Sequence, residues 1–177
     1  SDAAKGSPLT RRTYFDKFVD MYYDSQNDTP PGNYYFWDTH LKLKFSPNNT
    51  NQFFYSQFSG KDNLFADIGG SGFPGIDFRW DWGNGTQNLT WKFIPNSNYF
   101  LKTRLSKTTY QFNVDFAIDF NPDVADTTET INLDSGESVD LSLYLDNLVE
   151  DLDFNQELKY IINENLNFDF GWQIKNL

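Results

Sequence analysis

Two stretches place oxygen ligands at a spacing that suits a hard cation. "DFNPDVADTTE" offers Asp119, Asn121, Asp123 and Asp126, and "EDLDFNQE" offers Asp151, Asp153, Asn155 and Glu157. Asp and Asn at alternating positions of a tight loop can wrap calcium, which takes six to eight oxygens. Neither stretch has the Gly at position six or the Glu at position twelve of an EF-hand loop. Solvated acidic turns therefore compete with calcium as the explanation. A third stretch, "GIDFRWDWGNGTQNLTWKF", gathers Trp80, Trp82 and Trp91. Such a set either seals a core or offers a face on which sugar rings stack.

Other chemistries are excluded by residue type. The chain has no Cys, which removes disulfides, thiolate catalysis and Cys-ligated metals. Its one His, His40, sits in an alternating run between Thr39 and Leu41, with no partners that mark a triad or a zinc site. "GGSGFPG" lacks the Gly-Lys-Ser/Thr of a phosphate cradle. Carboxylates abound but no pair is singled out, so no enzyme is expected. The net charge of −11 repels phosphate, which argues against nucleic acid. Cations, neutral glycans or other proteins fit better.

The opening Ser-Asp-Ala-Ala-Lys-Gly favours an exported protein, extracellular or on the cell surface. "TRRTYF" matches a twin-arginine signal only by chance, because Asp16, Asp20 and Asp24 follow it. The sequons at Asn27, Asn48, Asn84 and Asn88 do not decide the compartment. No apolar run is long enough for a membrane helix, and no membrane insertion is expected.

The elements that must position these residues follow from period. Phe15, Phe18, Val19 and Tyr22 have helical spacing, which predicts a short helix before the breaker "NDTPPGN". Period two then takes over. Tyr35, Trp37, Leu41, Leu43 and Phe45 alternate with Asp38, His40, Lys42 and Lys44. "QFFYSQF", "NLFADI" and "YFLKTRLS" read as short strands. A type I′ turn at Asn84-Gly85 would put Ile76, Phe78, Trp80, Trp82, Leu89, Trp91 and Phe93 on one face of a hairpin. On that reading Trp80 and Trp91 are core. Tyr110 to Phe120 alternate, residues 130–145 form a second hairpin around Ser135-Gly136, and residues 146–166 are mostly helical in spacing. Leu166, Phe168, Phe170, Trp172 and Ile174 make a last strand.

Nine or ten strands with one or two short helices predict an all-β fold. The expected form is an antiparallel two-sheet β-sandwich or jelly roll, with an eight-stranded barrel as the alternative. Residues 1–10 are expected to be a mobile arm and residues 11–177 a single domain. The function expected is a non-enzymatic structural, assembly or adhesion subunit, stiffened by calcium and forming homo-oligomers through strand edges. The alternatives are a carbohydrate-binding module using Trp80, Trp82 and Trp91, and a capsid-type jelly-roll subunit.

Overall fold

The computed structural model describes residues 4–70, 73–120 and 139–176. They form one antiparallel sheet of seven strands in sequence order. The strands are β1 (Ala4–Arg12), β2 (Gly32–Phe45), β3 (Asn51–Gly70), β4 (Phe73–Asn96), β5 (Tyr99–Phe120), β6 (Val139–Asn163) and β7 (Leu166–Asn176). The one helix, α1 (Phe15–Asp24), lies between β1 and β2 where helical spacing predicts it. The all-β, antiparallel expectation with a short helix is met. The two layers of a sandwich are not: no second sheet packs on this one among the described residues.

Several expected elements fuse. Residues 73–96 are a single strand, with Asn84 paired to Gly60 on one side and Tyr110 on the other. A type I′ turn needs positive φ at its first central residue. Among described non-glycine residues only Asn27 has positive φ, so Asn84 is not in such a turn. Residues 146–163, read as mostly helical, belong to β6. Ser135-Gly136 lies outside the described residues. The expected arm is largely edge strand β1, paired to β2 from Ala4 to Arg12.

Both misreadings have one cause. In β4 the apolar residues are even-numbered from Ile76 to Trp82 and odd-numbered from Leu89 to Phe93. Side chains alternate faces along a strand. A continuous strand therefore carries its apolar residues on one face in its first part and on the other in its second. In β6 the same slip separates Leu141, Leu143 and Leu145 from Leu152, Phe154 and Leu158, and around Leu148 and Val149 it mimics helical spacing.

The register carries this inversion across the sheet. One face, here the Trp80 face, is apolar towards the end where β4 begins. Its rows include Leu64, Trp80, Val114 and Leu145, then Ala66, Phe78, Phe116 and Leu143. The Trp91 face is apolar towards the opposite end, with rows such as Tyr55, Leu89, Leu105, Phe154 and Ile174. Each half of the sheet has one apolar and one polar face, and the assignment reverses midway.

No hydrophobic residue in the described sheet is buried. Trp80 is 39% exposed, so its expected place in a core is not what the structure shows, and Trp91 is only half-buried. Leu143, Phe168 and Phe170 stand more than half exposed. A single sheet covers neither of its own faces, so each apolar half-face is left for other surroundings to cover.

Candidate functional site

The Trp91 face ends in a continuous row of aromatic rings. Phe45 stacks on Phe53 at 6.2 Å and Phe53 on Trp91 at 6.3 Å, nearly parallel. Trp91 meets Phe93 at 5.9 Å, Phe93 meets Tyr99 at 6.1 Å, and Tyr99 meets Tyr160 at 6.4 Å. Phe168 pairs with Tyr160 in register. The row thus crosses from β2 to β7. It follows the end where residues 46–50, 97–98 and 164–165 make the turns. The register places these rings on one face beside the turns.

Two indoles on this half-face have their polar edge satisfied within the sheet. Trp91 Nε1 donates to Asn51 Oδ1 at 3.0 Å, and Trp172 Nε1 donates to Gln156 Oε1 at 3.0 Å. Trp172 also packs on Phe154 at 5.1 Å. With their N–H groups bonded to side chains of the same face, these indoles need no outside partner for their one polar group.

Behind the aromatic half-face, the Trp80 face is charged. It carries Lys42, Lys44, Lys92, Lys102 and Arg104 from β2 to β5, and Asp151, Asp153 and Glu157 on β6. Lys102 Nζ pairs with Glu157 at 3.1 Å and Lys175 Nζ with Asp151 at 3.5 Å, while Gln173 donates to Asp153. Asp151, Asp153, Asn155 and Glu157 share this face but lie along an extended strand. Alternate residues there stand about 6.6–6.8 Å apart, so they form a ladder and not a loop around one ion. Asp119 ends up opposite Gly75 and Asp140. Asn121, Asp123 and Asp126 lie outside the described residues. Among the described residues no group of three or more such side chains converges on a metal position.

Trp80 and Trp82 come together at 4.7 Å, and Tyr34 stacks on Trp82 at 6.2 Å. Trp91 does not join them, because it faces the other way. Tyr34 donates its hydroxyl to Asp62 Oδ1 at 2.5 Å, and this bond pushes the phenol up to about 12. Desolvation and the Asp62 charge act in the same direction, since both disfavour a phenolate. At the far end α1 is tied to the sheet through Arg12 to Asp16 at 2.6 Å and Asn33 to Asp20 at 3.0 Å.

The aromatic row went unread in the sequence because its members come from six strands. A signal was present: Phe45 and Phe53 flank "SPNNTNQ", Phe93 and Tyr99 flank "IPNSN", and Tyr160 and Phe168 flank "IINENLN".

No protein-family model matches the chain, and no curated protein matches it. Among solved structures it is similar to the P. putida toluene transporter TodX, at 9% identity and a TM-score of 0.28. The match covers 98% of this chain and spans 63% of that protein's length. A superposition this loose fixes neither fold nor function.

Proposed function

We propose that this chain forms part of the wall of a membrane-spanning β-barrel, with the Trp91 face against lipid in the half nearest the short turns. The observation that carries it is the aromatic row from Phe45 to Tyr160, lying beside the turns, next to the apolar row of Leu89, Leu105, Phe154 and Ile174 and backed by charge. Barrel walls have an apolar outer band bordered by aromatic girdles, a polar interior, and short turns at one end. At the opposite end two of the connections are longer, over residues 13–31 and 121–138. Strands of 20 to 25 residues exceed the 9–11 a bilayer crossing needs, so β3 to β6 would continue beyond the lipid. There the apolar side reverses, as suits a wall standing in water and covered from within.

No helix of the described residues is long and apolar enough to cross a membrane. Strands need no such length, and alternation hides their apolar content from a search for unbroken runs. This reading departs from the expectation of no membrane insertion, and it keeps the role structural and non-catalytic. It also restates the expected strand-edge assembly in geometric terms. β1 and β7 are both odd members of an antiparallel meander, so they run in the same direction. A closed antiparallel wall therefore requires an odd number of further strands between them. Two identical copies that turn the same face outward can join antiparallel only by β1 to β1 or β7 to β7.

The test is to fold the chain with phospholipid vesicles and wash them at alkaline pH. Retention with β-sheet circular dichroism supports the wall. Release as a folded, water-soluble monomer overturns it.

A glycan-binding role is favoured by a second observation: half-buried Tyr34 and Trp82 and exposed Trp80 form one aromatic patch with Asp62 beside it. Rings of this kind stack on sugars while a carboxylate accepts their hydroxyls. Binding on a glycan array that is lost in Trp82→Ala supports this role, and a blank array removes it.

A further inference from the structure

The cations of this acidic chain are not distributed at random with respect to their partners. Arg11, Arg12, Lys17, Lys61, Arg79, Lys102, Lys107, Lys159 and Lys175 each form an ion pair with a carboxylate. Lys42, Lys44, Lys92 and Arg104 form none with the described residues. All four occupy the charged half of the Trp80 face, on β2, β4 and β5. Lys44, Phe54, Thr90 and Arg104 lie in one row of the register, Lys92 is two residues from Thr90, and Lys42 is two from Lys44.

Two of the four meet at one ring. Lys44 Nζ and Lys92 Nζ sit 5.6 Å and 5.0 Å from the centre of the same Phe54 ring. Lys44 reaches the ring from β2 and Lys92 from β4, the strands on either side of Phe54, and the ring attracts both ammonium groups. Arg104 Nε is buried and lacks a hydrogen-bond partner, although a buried donor left unmade is costly. Beside Phe54 a groove of about 370 Å³ is lined by Lys42, Lys44 and Ser56. The chain has 25 carboxylates against 14 Lys and Arg, so a shortage of anions does not explain four unpaired cations in one place.

We infer that this patch binds a small polyanion, a molecule with two or more phosphate or carboxylate groups. Lys44 and Lys92 would hold one anionic group above Phe54, and Arg104 and Lys42 would take the others. The site rests on the register, the two ring contacts and the orphaned Arg104 Nε, and goes beyond the membrane reading; it holds whether the opposite face meets lipid or another surface.

Titration calorimetry with tripolyphosphate, on the full chain in non-ionic detergent at low salt, tests it. One site is expected per chain, weakening steeply with added salt. Lys44→Gln with Lys92→Gln should weaken binding about tenfold or more, as loss of paired charge contacts does. Lys159→Gln, which removes a paired lysine on another strand, should leave it unchanged. Phe54→Leu keeps every charge and should weaken binding by loosening the two lysines. Absence of binding by the wild-type chain, or equal weakening by Lys159→Gln, overturns the assignment. A melting curve for each variant separates lost binding from lost fold. Equal binding to neutral vesicles doped with anionic phospholipid would identify a headgroup as the source of the same chemistry.

Discussion

Trp80 and Trp91 belong to the same strand and point to opposite faces of the sheet. Trp80 lies in a row with Leu64 and Val114, whereas Trp91 lies in a row with Phe53 and Thr103. Single-Trp variants reconstituted into vesicles with brominated lipid tails should therefore differ. Trp91 and Trp172 should be quenched strongly, and Trp80 and Trp82 weakly. The reverse order would place the other half-face in lipid.

Lysine substitutions should show the same asymmetry in stability. Leu105→Lys falls within the apolar band of the Trp91 face and should cost about 2–4 kcal/mol, while Leu101→Lys, level with the aromatic row, should cost about 0–1 kcal/mol. Denaturant unfolding in vesicles measures both. Equal costs at the two positions would remove the depth gradient that a bilayer imposes.

Gly83 tests the continuity of β4. A Cβ at this position would stand 2.8 Å from the carbonyl oxygen of Gly60, a contact the paired backbones cannot easily relax. Gly83→Ala should destabilise by about 1–3 kcal/mol through overpacking. In a hairpin turning at Asn84-Gly85 the same change would sit at a strand end with no facing β3 backbone. A melting temperature unmoved by Gly83→Ala would favour that hairpin.

The Tyr34 phenol, raised to about 12 by Asp62, makes stability fall at high pH. Its ordinary value is about 10, so the contribution is complete below that pH and is lost as pH rises through about 12. Tyr34→Phe should abolish this part of the alkaline decline. Absorbance at 295 nm should show a tyrosine step near pH 12 that Tyr34→Phe removes; a titration curve with the same late step in that variant would refute the Asp62 bond.

The sequence by itself determined what alternation and residue type can determine. It yielded an all-β antiparallel class, a short helix carried by Phe15, Phe18, Val19 and Tyr22, a clean last strand from Leu166, and the absence of thiol chemistry. It also located where apolar alternation changes phase, near Asn84 in β4 and Leu148 in β6. It could not say what the phase change meant. A turn restores apolar residues to one face, a helix explains mixed spacing, and an uninterrupted strand hands the apolar side to the opposite face; all three are written with the same residues. Only pairing decides among them. Asn84 bonds into the sheet between Gly60 and Tyr110, and Leu148 is paired with Gln111, so no turn or helix is possible there. The aromatic row and the four unpaired cations depend on the same register, because each is assembled across strands distant in the chain. Their neighbours are set by hydrogen bonds between strands, which no local pattern encodes.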